Sequence, residues 1–230
     1  MFPKKSKRVK ALSEEELAAL KRYDAPTLAN GIETFDVRPW TEGFMSPQIR
    51  CVFPEMGVMA GYAVTGKIRA SQRGAGSYSR HGWWDSILTV PSPRVIVLED
   101  LDAIPVGAFW GEVQTNIHKA LGCIGAVTNG GVRDLAEVRA AGFHYFAASI
   151  MVSHAYVQLL EYGEPVNVGG VTVETGDLIH ADQHGVQIVP PGIARELPAA
   201  CEKVIEKERK LVAFCQSAGF SLDGLKKLVP

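Results

Sequence analysis

The sequence predicts an α/β fold: a central sheet, a small antiparallel β module, and helices flanking both ends. Three observations carry that prediction. Between residues 94 and 147, apolar runs of strand length alternate with helix-length segments, as expected for strands joined by crossover helices. From residue 164 the texture changes to short alternating runs separated by glycine turns. Both ends of the chain carry charged segments with helical patterning.

Taken in order, Ser13 ahead of Glu14, Glu15, Glu16 and Leu17 is a capping box, opening a helix to about Tyr23. Residues 26–31 read as a second short helix. Residues 36–54 hold three prolines among mixed polar residues and read as irregular connection. Residues 58–68 alternate around glycines, giving a strand with a bend or bulge. Residues 74–82, rich in Gly, Ser and Arg, read as a mobile surface loop, and Trp83-Trp84-Asp85 then opens a helix through Leu88. The run Arg94-Val95-Ile96-Val97-Leu98-Glu99-Asp100 suits a strand covered on both faces. Helix 112–121, strand 123–128, helix 135–141 and strand 143–147 follow. Residues 165–173, 178–182 and 186–189 form the antiparallel module. Residues 192–219 form mainly one amphipathic helix, longer than the edge of a monomer requires and suited to a partner subunit. No internal repeat or low-complexity segment occurs.

Composition narrows the function classes. Of 230 residues, 47% are hydrophobic and 21% charged, and the formal charge is −1, ordinary for a globular protein. No basic field exists to hold nucleic acid or an anionic membrane, and the cluster Lys4-Lys5-Ser6-Lys7-Arg8 reads as a solvated terminus. No apolar run reaches the ~18–20 residues of a membrane helix, and no signal segment follows the basic start, so a cytoplasmic location is expected. Cys51, Cys123, Cys201 and Cys215 show no C-x-x-C and no pairing rhythm, which argues against structural zinc or a disulfide framework.

The chemistry concentrates between Gly111 and Asp134. A helix opening near Gly111 presents unpaired amides and a partial positive charge to an anion. Arg133 adds a planar two-pronged grip on a carboxylate, and Asp134 offers the hard oxygen that magnesium or manganese prefers. A plainer reading of the same residues makes Asp134 a helix cap with Glu137 as its capping-box partner, Gly142 a helix stop, and Arg133 a surface cation. The upstream helix start favours the functional reading. Elsewhere, His180 and His184 flank a turn rather than share a helical face, His118 is expected to face solvent, and Trp83, Trp84 and Trp110 read as packing residues, with walling the site as the alternative for Trp110. Lys119 sits among polar neighbours, without the desolvated pocket of a Schiff-base lysine. Ser77, Ser79 and His81 form no catalytic triad, and neither G-x-G-x-x-G nor a P-loop occurs.

Gly111-Glu112, twenty residues, then Arg133-Asp134 within G-x-V-x-N-G-G-x-R-D form one motif. Downstream comes V-G-G-V-x-V-x-x-G-D-x-x-x-A-D-x-x-G-V-x-x-V-P, from Val168 to Pro190. Together they resemble the 4-hydroxy-4-methyl-2-oxoglutarate aldolases and their relatives, the regulator of ribonuclease activity A proteins. The resemblance spans about residues 23–191, beginning at the Y-D-x-P-T of Tyr23 to Thr27. It implies a swivelling β/β/α domain filling residues 1–230, with an N-terminal helical extension (1–22) and a C-terminal helix (192–230). It further implies a homotrimer or homohexamer with sites at subunit contacts.

By that resemblance, the backbone of Gly111, Glu112, Val113 and Gln114 together with Arg133 holds the pyruvate part of a 2-oxo acid, and Asp134 holds Mg2+ or Mn2+. The implied reaction is metal-dependent cleavage of a 4-hydroxy-2-oxo acid to pyruvate through an enolate, with oxaloacetate decarboxylation as a second activity. An acidic residue from a neighbouring subunit is implied, with Glu208 as the candidate. The alternative is a non-catalytic regulator that binds a ribonuclease; that branch typically lacks the metal aspartate and is shorter. Asn129 stands where the family commonly has Asp, the segment Met151-Val152-Ser153-His154 replaces one expected to hold Gly and Pro, and His184 stands where an acid is common.

Overall fold

A computed structural model describes residues 10–74 and 79–229; the basic cluster at 4–8 and Ser77 lie outside the described residues. In chain order the elements are α1 (Glu14–Leu20), α2 (Ala25–Glu33), β1 (Arg50–Cys51), β2 (Met59–Arg69), α3 (Arg80–Leu88), β3 (Arg94–Asp100), β4 (Ala108–Trp110), α4 (Glu112–Ala120) and β5 (Cys123–Val132). They continue with α5 (Leu135–Ala140), β6 (His144–Ile150), β7 (Gln158–Tyr162), β8 (Val166–Val168), β9 (Val171–Val173), β10 (Leu178–Asp182), β11 (Gly185–Val189), α6 (Leu197–Gln216) and α7 (Leu222–Leu228).

The central sheet runs β1-β6-β5-β3-β2-β10-β11, with β4 added to β5 and β7 to β2. Its middle strands, β2, β3, β5 and β6, are parallel, so each must be linked by a crossover. Helices α3, α4 and α5 supply those crossovers. In β3, Ile96 and Leu98 point into a core packed with helical residues such as Leu28, Ile87 and Leu197. Val95 and Val97 point to the other face, against Met45, Ile49 and the hairpin residues Val166, Val168 and Val173. The layers are therefore helices, central sheet and two-stranded sheet, a β/β/α arrangement. Burial of both sheet faces is why β3 reads as an unbroken apolar run.

Two expectations need correction. The antiparallel module is not one unit: β8 and β9 form a separate two-stranded sheet, whereas β10 pairs with β2 and extends the central sheet. Every residue of β10 is buried, so that strand needs cover on both faces and cannot stand in a small exposed hairpin. Helix α3 also starts at Arg80 rather than Trp83, because the Ser79 hydroxyl accepts from the amide of Gly82 at 3.3 Å and caps the helix early. The strand at 58–68 and its bulge are present, with a register shift between Lys67 and Ile68 where β7 pairs. Among the described residues, no helix is long and apolar enough to cross a membrane.

Asn129 closes the top of the parallel pair β3–β5. Its Oδ1 accepts from the amide of Asp100 (2.7 Å) and its Nδ2 donates to the Asp100 carbonyl (2.9 Å), continuing the ladder with a side chain. Only an amide can make both bonds. Asp100 itself is 3% exposed, and burial holds its carboxyl above the usual range. Asn129→Asp is therefore expected to lose the donated bond and set a second carboxylate against Asp100. The expected cost is about 1–3 kcal/mol, read as a lower urea midpoint; an unchanged midpoint would contradict this role for the amide.

Candidate functional site

The site is built where two parallel strands end side by side. Strand β4 pairs with β5 in the register Trp110 to Val132, so the next residues, Gly111 and Arg133, emerge as neighbours. The Arg133 amide continues the pairing by donating to the Trp110 carbonyl at 3.1 Å. Helix α4 then starts from Gly111, which offers no side-chain cap. The first α4 bond to close on Gly111 is Thr115 N to Gly111 O at 3.0 Å, and the amides before it lack intrahelical acceptors.

Asp134 takes one of those amides. Its Oδ2 accepts from Glu112 N at 2.9 Å. The residue sits in the left-handed region, φ 56 and ψ 48, and makes no capping bond to its own helix α5. The expected capping box with Glu137 is thus absent: the left-handed backbone turns the carboxylate away from α5 and onto the positive end of α4. Gly111 permits the approach, since a Cβ there would stand 2.4 Å from Asp134 Oδ2 and 3.2 Å from Arg133 Nε. The Arg133 Nε lies 3.8 Å from Asp134 Oδ2, and both side chains are about one-third exposed (34% and 33%).

Gly111, Val113, Gln114, Arg133 and Asp134 all line one cleft of about 600 Å³. Glu112 contributes its amide, while its side chain is exposed. Beneath the cleft, the Tyr145 hydroxyl pairs with Thr115 Oγ1 at 3.0 Å, and burial pushes the phenol well above its ordinary value. Sequence reasoning missed Arg73, Arg80, Trp84, Phe109 and Tyr156, which line the same cleft. The one available signal was the pair of arginines bracketing the Gly/Ser stretch.

His118 is fully buried rather than solvent-facing. Trp83 Nε1 donates to its Nε2 (2.9 Å), and its Nδ1–H donates to the Gln114 carbonyl (2.7 Å). Burial pushes it down to about 4, so the ring is neutral and bolts α3 to α4. Trp110 lies fully buried behind Gly111, its ring 4.8 Å from that of His118. His180 bonds to the Tyr23 carbonyl (3.1 Å) and His184 approaches Asp182 (3.1 Å), so the two serve different partners. Lys119 donates to the Ala141 carbonyl on the exposed side of α4. Glu208 lies on α6, bonded to Asn30 at 3.2 Å, and is not among the cleft residues of its own chain.

Asp134 is the one carboxylate lining the cleft among the described residues, and no group of three His, Cys, Asp or Glu is poised for a metal. A closed zinc site does not fit. A magnesium-type ion does, because it keeps several waters and needs only one or two carboxylates; with Oδ2 engaged, Asp134 Oδ1 remains for it.

The family model described as RraA-like, Aldolase/RraA, matches residues 24–188. Over 120 residues the chain is 28% identical to a Halalkalibacterium halodurans protein provisionally named a 4-hydroxy-4-methyl-2-oxoglutarate aldolase, covering 52% of this chain and 54% of that one. It is similar to Streptomyces coelicolor RraAS2, described as an unusual member of the RNase ES inhibitor RraA protein family. There the identity is 22% and the TM-score 0.67, over 87% of this chain and 96% of the other, a likeness of fold. A structure described under novel cellulases from gut-associated microbes superposes with a TM-score of 0.75 at 25% identity, over 89% of this chain and 90% of that one. The chain spans 17% to 54% of the length of the curated relatives it matches.

The buried imidazoles predict acid lability. Burial lowers both His118 and His144 to about 4, the latter with help from Lys21. The unfolded chain therefore binds more protons between about pH 6.5 and pH 4. Stability is complete above that window and falls as pH drops through it, by on the order of 3 kcal/mol from His118. Melting temperatures across this range should show the decline, and His118→Gln should flatten it; an equal slope in the variant would contradict the assignment.

Proposed function

This chain belongs to the RraA-like, Aldolase/RraA family, and from that premise we propose that it is a divalent-metal-dependent carbon–carbon lyase. Its substrates are 4-hydroxy-2-oxo acids of the 4-hydroxy-4-methyl-2-oxoglutarate type, cleaved to pyruvate. The observation that carries the proposal is the convergence of the α4 start, Arg133 and Asp134 in one cleft. The free amides at the α4 start and the Arg133 fork bind the substrate carboxylate and so orient the C3–C4 bond. As that bond breaks, its electrons move toward the 2-oxo oxygen to leave the enolate of pyruvate. Arg133 and the α4 dipole hold the charge as it develops. Asp134 is the residue that would hold Mg2+ or Mn2+, which supplies Lewis-acid polarisation of the 2-oxo group when bound. The 4-hydroxyl proton leaves to solvent as C4 becomes the carbonyl carbon of the second product, and the enolate takes a proton at C3 to give pyruvate. Oxaloacetate decarboxylation passes through the same enolate and is the proposed second activity.

A glycosidase reading is less well supported, since such chemistry needs two facing carboxylates and the described cleft residues supply only Asp134. The same proposal takes residues 1–230 as one domain acting in the cytoplasm. It assembles the chain as a homotrimer or homohexamer, consistent with exposed Ile104, Ile150 and Val152 (79%, 63% and 96%) on segments leading into the cleft wall. Glu208 of a neighbouring subunit is the candidate acidic contribution.

Magnesium-dependent pyruvate release is expected from 4-hydroxy-4-methyl-2-oxoglutarate and from oxaloacetate, and a chelator should stop it. Arg133→Ala and Asp134→Ala should each lower kcat by about 100-fold or more, with the oligomer intact by light scattering. Gly111→Ala should do the same while shifting stability by less than about 1 kcal/mol, because the displaced atoms are side-chain tips. Full activity in Arg133→Ala or Asp134→Ala would remove the assignment. No pyruvate from either compound would move the weight to another 2-oxo acid or to a non-catalytic regulator.

A further inference from the structure

The anion-binding groups at the α4 start already hold an anion, and it belongs to the protein. One oxygen, Asp134 Oδ2, accepts from the amide of Glu112 at 2.9 Å and lies 3.8 Å from Arg133 Nε. The first of these groups adjoins the free amides that take the substrate carboxylate in the proposed reaction, and the second takes it directly. The same oxygen stands 2.4 Å from the point where a Cβ on Gly111 would sit. It therefore fills the space that the glycine leaves open at the helix start.

Folding alone gives little reason for a carboxylate there. Asp134 stands at the cap position of α5 yet makes no capping bond to that helix. Its φ of 56 is a conformation that asparagine and glycine also adopt. The Arg133 contact is too long for a hydrogen bond, and both side chains are about one-third exposed. An exposed pair of this kind contributes little to stability. Its effect on a ligand is larger, because an incoming carboxylate would bring a second negative charge to a helix start and an arginine that already face one.

We propose that Asp134 guards the carboxylate site and so sets an order of binding. Without a cation, its oxygen takes up part of the positive field of the α4 start and Arg133, and its charge repels a second carboxylate. A divalent ion held by Asp134 offsets that charge, so the metal binds first and the 2-oxo acid follows. The proposal rests on the reading that the α4 start and Arg133 take the substrate carboxylate, and it adds an order that the reading does not require.

The test is calorimetry on the full chain with pyruvate, and with propanoate, which has no 2-oxo group to meet a metal. In the presence of a chelator, D134N should bind pyruvate about tenfold tighter than the parent protein, the scale of one like charge removed from a partly exposed site. D134G, which removes the guarding carboxylate and accepts the left-handed backbone without strain, should match it. Magnesium should tighten propanoate binding to the parent protein by about fivefold or more and leave both variants unmoved. Unchanged melting temperatures verify that the variants fold. Equal pyruvate affinities of parent and variants in chelator, or a magnesium effect on propanoate that survives in the variants, would overturn the guard and leave the carboxylate site standing. Pyruvate binding to neither the parent protein with magnesium nor the variants would overturn the carboxylate site and the guard with it.

Discussion

One hydrogen bond organises the site: Asp134 Oδ2 to the amide of Glu112, at 2.9 Å. It joins the starts of two helices that follow adjacent parallel strands, β4 and β5. Three local features must hold for it to form. Gly111 must lack a side chain, Asp134 must accept a positive φ, and the register must set Trp110 against Val132. Aspartate tolerates the left-handed region better than most residues. With Oδ2 committed, the carboxylate has a fixed orientation in a cleft where Arg133 and the α4 dipole both favour negative charge.

The rest of the fold keeps those strand ends still. Strand β5 is flanked by β3 and β6 and buried along most of its length. Asn129 locks its upper part to Asp100 at the point where the backbone ladder lapses. On the helical side, the neutral His118 accepts from Trp83 and so ties α3 to α4 through one buried hydrogen bond, while its bond to the Gln114 carbonyl within α4 fixes the ring, so the walls of the cleft belong to the core. A candidate site beyond the carboxyl ends of parallel strands matches the general behaviour of open α/β sheets.

Much of this was legible in the sequence for physical reasons. Periodicity exposed the helices, the two-faced burial of β3 gave its unbroken apolar run, and the glycine before α4 with the Arg133-Asp134 pair marked the site. What escaped depends on long-range pairing. Strand β4 has three residues and no pattern of its own, so its register with β5 could not be read. The capping-box pattern after Asp134 was present, but a left-handed backbone redirected the side chain. His118 looked exposed because its partner, Trp83, lies 35 residues away. Strand β10 was placed in a separate module because its partner β2 is more than a hundred residues upstream. Arg73 and Arg80 flank a segment with no periodicity, and only the fold brings them into the cleft with Arg133.

The most direct test is a crystal grown with manganese and pyruvate, recorded at the manganese absorption edge. An anomalous peak beside Asp134, with the pyruvate carboxylate on Arg133 and the opening amides of α4, is the predicted result. A peak elsewhere, or pyruvate bound away from Arg133, would contradict the assignment of the cleft as a metal-assisted 2-oxo acid site.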